Sequence, residues 1–547
     1  MSPKPAPIDP LEGPQIALSG RIVSMDAGFT VIPDGVIYID KGRIVAVQTK
    51  GQQPPAGFES VPVVRTDGTI YPGLIELHNH LSYNALPLWD VPQKFQNREQ
   101  WGRLKEYRKL VSGPMVVVGR TPGLLPPLVR YVECKALVAG VTTTQGIQLA
   151  SNSAVRSFYK GIVRNVESTD DPDLPEALTR IDDVEARDAG KFYARLVRSS
   201  CLLLHLSEGV DKRARDHFLA LHMGRNKWAI SKQLASIHCA GLHAEDFEVL
   251  NTHSGSMVWS PMSNLLLYGQ TALVASAKSH GVRVGIGSDW SPTGSRNLLC
   301  ELKVAHLYSK ENGDFLSDRD IVRAVTSDAA AIIGWQNAIG SLEAGKRGDL
   351  MVIQGRDADA YASLIKATER DVVLVMINGV PRYGLAPIMK KLAADGEEVK
   401  IGGLSRAVYL KQKTQDPRVA AVSLKKATSM LRNAFHELPA LARKLERRSE
   451  RPRMKAPGFR EPVEWTLALD ELDETGLDVR PRLPAEGKKG FTGPNLALPG
   501  AAEPLSSIVS PIDIDPLTIV DDADYLGRIG RQRNLPPCVK QGLPTFY

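Results

Sequence analysis

Two histidines at the end of an apolar run are the first residues in this chain whose types and spacing suggest chemistry. Residues 74–77 have the composition of a buried strand, and His78 and His80 follow it, one residue apart. Because side chains alternate faces along a strand, both imidazoles are expected to project into the same space. Paired imidazoles suit a borderline divalent metal such as zinc or iron. The same pair could also be two core histidines, so residues further along the chain must decide.

Further along, three more polar residues fall at the predicted ends of apolar runs: His205, His238 and Asp289. Strand and helix patterns alternate from about residue 124 onward, which is typical of parallel βαβ units. Over this length the pattern predicts an α/β fold, a (β/α)₈ TIM-like barrel. Active groups in such barrels lie at the carboxyl ends of the strands. Six further histidines are predicted on helices or loops, at positions 217, 222, 243, 253, 280 and 436.

The predicted barrel shows seven clear strands, and the eighth has two candidate positions. It is either the run at residues 115–118 or a strand between residues 167 and 196. A polar loop at residues 82–98 is expected to cap the site. Trp89, Trp259 and Trp290 could line a pocket for a flat ring or pack in the core.

The remaining segments define the domain organisation. Short β-patterns predict that residues 1–71 and 336–386 form the two parts of a small composite β-sandwich, with the barrel at residues 72–335 between them. A C-terminal extension follows, predicted helical over residues 387–446. Residues 447–547 are rich in proline and lack periodicity, so we expect an extended or partly disordered tail.

Composition excludes several classes of protein. The 547 residues carry a net charge of +7, which is small for this length and predicts neither a nucleic-acid nor a membrane partner. The amino terminus has no apolar secretion segment, and the five cysteines form no C-x-x-C pair. These features predict a cytoplasmic protein with reduced thiols and a small-molecule substrate; a homodimer is left open.

Five motifs together resemble a known superfamily: residues 72–80, 140–144, 205–208, 260–264 and 287–289. They are similar to the amidohydrolase superfamily, and most of all to its cytosine-deaminase-like branch. That branch includes triazine hydrolases and adenosine- and guanine-type deaminases. The resemblance covers about residues 20–383, and the segment after about residue 387 lies outside it.

The resemblance implies a role for each motif residue. It makes His78, His80, His205 and Asp289 the ligands of one divalent metal, Zn²⁺ or Fe²⁺. It makes Glu208 and His238 an acid–base pair, with Asp289 able to accept a proton as water attacks. A two-metal site with His238 as a ligand is less favoured, because no lysine at a strand end could serve as a bridging carbamate.

Simpler roles exist for these residues. Glu208 could cap a helix, His238 could be a core histidine, and Ser263 and Asn264 are expected to fix a loop. Trp290 departs from the family pattern, in which small residues are common at that position, and would reshape the pocket.

We predict a metal-dependent hydrolase of a non-peptide carbon–nitrogen bond. Deamination of a heteroaromatic amine is favoured, because Glu208 could protonate a ring nitrogen. The alternatives are a cyclic amide or amide hydrolase and, from another class, a non-catalytic barrel scaffold.

Overall fold

The structure is a computed structural model of the 547-residue chain. It describes residues 8, 11, 13–102, 104–152, 155–169, 171–355, 358–412, 417–450, 463–469 and 504–547. Within these residues, no helix combines the length and apolar character needed to cross a membrane.

Eight short parallel strands carry the predicted site. Three form one sheet, in the order Leu74–Glu76, Val141–Thr144 and Arg164–Asn165. Five form another, in the order Leu178–Arg180, Leu202–Leu206, Leu234–His238, Ser256–Trp259 and Val284–Ile286. A parallel bridge between Asn79 and Asp289 links the two sheets at one side. At the other side Ala177 N donates to Val166 O at 2.8 Å. The structure thus assigns the eight strands to two parallel sheets that are linked at both sides.

Helices follow six of these eight strands, as the alternating pattern predicts; within the described residues none lies between Val141–Thr144 and Arg164–Asn165 or between Arg164–Asn165 and Leu178–Arg180. In chain order the helices are Leu125–Val138, Ala189–Leu196, Lys212–Leu219, Ala244–Thr252, Pro261–Tyr268, Val274–Ser279, Leu298–Glu311, Asp318–Ala324 and Ser327–Ile332. The strands Leu202–Leu206, Leu234–His238 and Ser256–Trp259 are buried at every residue, which explains why they appear in the sequence as apolar runs.

One of the two positions considered for the eighth strand is wrong. Residues 115–118 lie in the helix Gly113–Arg120, and all four are buried. A short β-branched run that is buried all round has no periodicity that separates a strand from a helix. The strand Leu178–Arg180 instead occupies the second interval, between residues 167 and 196.

The segments that precede and follow the eight parallel strands in the chain meet in one nine-stranded sheet. In sheet order its strands are Glu397–Ile401, Leu404–Val408, Val380–Leu385, Val372–Ile377, Leu350–Gln354, Val63–Pro72, Ile16–Val23, Val31–Asp40 and Arg43–Thr49. The central pairing, Val63–Pro72 with Leu350–Gln354, joins the N-terminal segment to the later one. The structure assigns these nine strands to one hydrogen-bonded sheet.

The C-terminal extension differs from its prediction in two places. Residues 397–408 add two strands to the large sheet before the helices Leu424–His436 and Leu438–Glu450 begin. Residues 504–547, expected to be extended or disordered, contain the helices Leu505–Ile508, Tyr525–Arg531 and Pro537–Gly542. Residues 451–462 and 470–503 of the predicted tail lie outside the described residues.

Candidate metal centre and acid–base site

Four side chains from the ends of three parallel strands lie close together: the donor atoms of His78, His80 and Asp289 fall within 4.8 Å of one another, and His205 adjoins them through His80. Asp289 Oδ1 lies 3.2 Å from His78 Nε2 and 3.6 Å from His80 Nε2. His205 Nε2 lies 3.3 Å from His80 Nε2. His78 is fully buried and His80 is 12% exposed, so the cluster lies at the base of a site that solvent reaches from one side.

The tautomer of His78 is set by Gln145. Asn79 N donates to Gln145 Oε1 at 2.9 Å, so this oxygen is an acceptor. His78 Nδ1, 3.3 Å from the same oxygen, therefore carries the proton and donates. His78 Nε2 is left with its lone pair directed into the cluster, buried and without a hydrogen-bond partner in the described part of the chain.

The donor set fits a divalent cation. Two imidazole nitrogens 3.3 Å apart, beside a carboxylate oxygen, place unshared electron pairs in one small volume. Burial lowers the pKa of His205 well below its usual value, and the neighbouring imidazoles lower it further. Burial opposes ionisation of Asp289, but the adjacent histidines hold its pKa below the ordinary carboxyl range. Neutral imidazoles and an ionised carboxylate are the forms in which these groups bind metal.

Backbone strain accompanies this placement. His238 and Asp289 have φ values of 68° and 66°, in the left-handed region that non-glycine residues rarely adopt. The strand end before Asp289 also approaches the end of the first strand closely. A Cβ added at Gly287 would lie only 2.6 Å from His78 Cβ. The fold therefore holds these ligand-type side chains against a local conformational cost.

Glu208 lies beside the cluster as a buried carboxyl group. Burial raises its pKa to about 7, with the Arg98 charge opposing that rise. Tyr268 OH donates to Glu208 Oε1 at 2.9 Å, and Arg98 Nη1 lies 3.9 Å from Oε2. His238 Nε2 is 3.7 Å from the same Oε2. Near neutral pH this carboxyl can hold a proton and release it.

The tautomer of His238 is set by a hydrogen-bond chain. Trp259 Nε1, which can only donate, donates to Thr271 Oγ1 at 2.7 Å. Thr271 Oγ1 donates to Asn264 Oδ1 at 3.2 Å, which leaves Asn264 Nδ2 to donate to His238 Nδ1 at 3.1 Å. His238, neutral because burial lowers its pKa well below 6.5, therefore carries its proton on Nε2, facing Glu208. The two buried histidines thus present opposite groups to the site, a lone pair on His78 and an N–H on His238.

Aromatic rings form one wall above the cluster. The Trp290 ring lies 5.0 Å from the His80 ring and 4.8 Å from the Tyr83 ring. Trp101 lies 6.1 Å from Trp290 and donates from Nε1 to Tyr268 OH at 3.3 Å. Such a wall offers apolar faces to a flat ring.

Trp89 and Trp259, the other two tryptophans considered from the sequence, pack in the core. Trp89 contacts Phe95 and Tyr107, and Trp259 contacts Tyr308 and Phe315. Of the three tryptophans considered from the sequence, Trp290 alone contacts a cluster histidine within the described residues.

Comparisons with known proteins show which family this chain resembles. The sequence model of the amidohydrolase family matches residues 205–382. A 5-methylthioadenosine/S-adenosylhomocysteine deaminase from Desulforudis audaxviator is 30% identical over 360 residues, 58% of this chain and 80% of that protein. One from Symbiobacterium thermophilum is 24% identical over 425 residues, 66% of this chain and 91% of its own length.

The chain belongs to the amidohydrolase family. Among solved structures, a variant of atrazine chlorohydrolase from Arthrobacter aurescens complexed with zinc and atraton shares the fold. Its TM-score is 0.51 at 19% identity, covering 69% of this chain and 99% of that one. The prediction of an amidohydrolase, an enzyme hydrolysing carbon–nitrogen bonds, is confirmed at this level.

In this amidohydrolase the six residues singled out from the sequence lie together: His78, His80, His205, Glu208, His238 and Asp289. Ser263 and Asn264 do more than fix a loop. Ser263 Oγ donates to Asp289 Oδ2 at 2.6 Å, and Asn264 contacts His238.

Four residues that contact the site were not identified from the sequence: Arg98, Gln145, Tyr268 and Thr271. Gln145 directly follows the strand Val141–Thr144, so its position at a strand end was an available signal. Arg98 begins the short helix Arg98–Trp101 and Thr271 lies in an irregular segment, and no sequence pattern marks either residue. His306, also omitted from the sequence prediction, lies on a helix and contacts Asp318 at 2.7 Å, away from the cluster.

Proposed function

We propose that this amidohydrolase deaminates a heteroaromatic amine with the help of one bound divalent metal. The observation that carries the proposal is the pairing of two features. A convergent set of histidine and carboxylate donors lies next to Glu208, a buried carboxyl whose pKa is raised to about 7.

His78, His80, His205 and Asp289 would hold the metal, Zn²⁺ or Fe²⁺. A divalent ion bound there would supply Lewis acidity that lowers the pKa of water toward neutrality. A second grouping, of His78 with His205 and His238, also has ligand atoms close together. The proton on His238 Nε2 disfavours that grouping, because a ligating nitrogen must offer its lone pair. One ion is therefore favoured over two.

The protein's own groups handle the protons. Deamination adds water to the ring carbon that bears the amine, breaks the carbon–nitrogen bond, and leaves a ring carbonyl and ammonia. Glu208 would protonate the adjacent ring nitrogen, and the hydrogen bond from Tyr268 orients it to do so. His238 would donate a hydrogen bond from Nε2 to oxygen as charge develops there. Asp289, held ionised and oriented by Ser263, would accept the proton that the attacking water loses and pass it to the amine, which leaves as ammonia.

The relatives suggest which amines to test. Because curated relatives are 5-methylthioadenosine/S-adenosylhomocysteine deaminases, an aminopurine nucleoside is the first substrate class we propose. The wall formed by Trp290 and Tyr83 would contact the flat base. The rival is hydrolysis of a cyclic amide, which the same metal and carboxyl could catalyse.

A substrate panel separates these activities. The metal-loaded protein is incubated with 5′-methylthioadenosine, S-adenosylhomocysteine, adenosine, guanine, an aminotriazine and cyclic amides such as dihydrouracil. Released ammonia and opened rings are measured separately. We expect ammonia from at least one heteroaromatic amine and no ring opening. Ring opening without ammonia from any amine would refute deamination and support the rival.

We further infer that the eight parallel strands close into one (β/α)₈ barrel spanning residues 72–335. The links at Asn79–Asp289 and Val166–Ala177 support closure. We also propose that the nine-stranded sheet folds over as a composite β-sandwich, because Ile16, Val352 and Leu374 from separate strands share one apolar core. A cytoplasmic location and a small-molecule substrate complete the proposal. Whether the enzyme forms a homodimer is a question for solution measurements.

A further inference from the structure

We propose that the C-terminal residues 504–547, here called the strap, position the substrate-binding wall of the site. The inference rests on the proposed function, because it concerns how that site holds its substrate. The match to the amidohydrolase family model ends at residue 382, so the strap lies outside the matched region. Three strap side chains carry the argument: Asp515, Gln532 and Asn534.

Asp515 is a buried carboxylate of the strap that pairs with residues outside the strap. Its side chain is 1% exposed and pairs with Arg296 at 2.7 Å and with Lys135, both of which are also buried. Arg296 keeps a second partner, Asp522, at 2.6 Å. Lys135 has no other carboxylate partner among the described residues, so its charge depends on Asp515.

Lys135 in turn holds the two loops that follow the metal-site residues. Its ammonium donates to Asn84 O at 2.7 Å and to Ser291 Oγ at 3.2 Å. Asn84 follows His80 by four residues, and its Oδ1 accepts from Ser291 N at 2.8 Å. Asp515 N also donates to Ala85 O at 2.9 Å. The strap therefore fastens both loops through one buried ion pair.

These two loops carry the aromatic wall. Tyr83 precedes Asn84, Trp290 precedes Ser291, and the two rings pack 4.8 Å apart. The ring of Trp290 also contacts that of His80. A shift of either loop would move the surface proposed to contact the substrate ring.

Two further strap residues fasten the rest of the loop that covers the site. Gln532 Nε2 donates to Trp89 O at 3.1 Å, and its Oε1 accepts from Val91 N at 3.3 Å. Asn534 Nδ2 donates to Gln93 O at 2.9 Å and to Leu266 O at 2.7 Å. Leu266 lies in the helix Pro261–Tyr268, whose last residue orients Glu208. Asp515, Gln532 and Asn534 are thus positioning residues that touch neither metal ligands nor reacting atoms.

The first test is Asp515→Asn, which removes the charge and keeps the shape. Asp513→Asn is the matched control, because it removes the same charge two residues earlier, from a side chain that is 89% exposed and paired with His436. We expect Asp515→Asn to raise KM for the best substrate about tenfold, a loss of roughly 1.4 kcal/mol of binding. We expect kcat within about threefold and unchanged metal content, since the ligands are held by strands. Asp513→Asn should match the wild type.

Hydrogen exchange tests the strap without relying on turnover. In intact Asp515→Asn protein, amides at residues 83–91 and 289–296 should exchange faster than in the wild type, while the nine-stranded sheet is unchanged. If Asp515→Asn fails to fold, Gln532→Met serves in its place: it removes the hydrogen bonds with Trp89 O, Asp90 Oδ1 and Val91 N without burying an unpaired charge, and amides at residues 89–93 should then exchange faster. Unchanged exchange in both loops, or loss of metal in step with activity, would overturn the inference. A wild type inactive on every amine with intact loop protection would instead count against the deaminase proposal alone.

Discussion

Replacing Glu208 with glutamine tests the proposed proton donor most sharply. The substitution keeps the size of the side chain and its contact with Tyr268 but removes the transferable proton. General acid catalysis by a positioned side chain contributes about 10²–10⁴-fold, so we expect kcat for ammonia release to fall by that factor. In the wild type, activity should decline as pH rises through about 7, because the donor is then ionised.

Although Glu208→Gln should lower kcat, it should raise the free energy of unfolding at alkaline pH. Burial raises the pKa of Glu208 from 4.5 to about 7 in the folded protein. A raised pKa gives a stabilising contribution that is fully present below pH 4.5 and is lost as pH rises through 7. Between these two pH limits, the contribution of Glu208 to the free energy of unfolding falls by roughly 3 kcal/mol. Metal-free Glu208→Gln protein should therefore be more stable than metal-free wild type at pH 8.5 by up to about that amount, and equal to it at pH 4.5.

Steady-state kinetics and urea denaturation at the two pH values measure both effects. Glu301→Gln is the control: this buried carboxyl also has its pKa raised by burial, to about 8, but it contacts Ser295 and Met262 N instead of the histidines. It should keep kcat within a few fold. If Glu208→Gln retains kcat within tenfold, or is less stable than the wild type at pH 8.5, the assignment of Glu208 as a buried proton donor is refuted.

Three further substitutions test separate parts of the site. Gln145→Leu removes the acceptor that orients His78, so metal affinity measured by chelator competition should fall about 10–100-fold; unchanged affinity would contradict that role. Thr271→Val breaks the hydrogen-bond chain to His238 and should lower kcat about tenfold with metal content preserved; parallel loss of metal would mean that His238 is a ligand. Trp290→Ala should raise KM for a two-ring aminopurine more than for a single-ring aminotriazine, and equal effects on both would show that the Trp290 ring does not recognise the base.

The position of the site could be predicted because two simple regularities coincide. Apolar runs ending in His78, His205, His238 and Asp289 identify strand ends, and the barrel prediction places strand ends at one mouth. The local sequence therefore predicts both which side chain is functional and where in the fold it lies. The same reasoning could not find the partners that set protonation. Thr271, for example, acts through an asparagine seven residues away in a separate structural element.

The predictions for residues 115–118 and for the strap were wrong for physical reasons that a single sequence does not show. Residues 115–118 are β-branched or apolar throughout, and their helix is buried on every side, so neither composition nor period distinguishes it from a strand. The helices of the strap have only four to seven residues, too few to show an amphipathic pattern, although apolar strap residues such as Ile514, Ile519 and Ile529 are buried in the main core. Asp515 appears in the sequence as an ordinary surface charge; only Lys135 and Arg296, more than 200 residues away, make it a buried one.

Anomalous diffraction from a crystal of the metal-loaded protein tests the central claim most directly. We expect one ion per chain, about 2.0–2.2 Å from His78 Nε2, His80 Nε2, His205 Nε2 and an oxygen of Asp289. In that structure His238 Nε2 should lie outside coordination distance, facing Glu208. An ion bound elsewhere, or one coordinated by His238 in place of His80 and Asp289, would contradict the account.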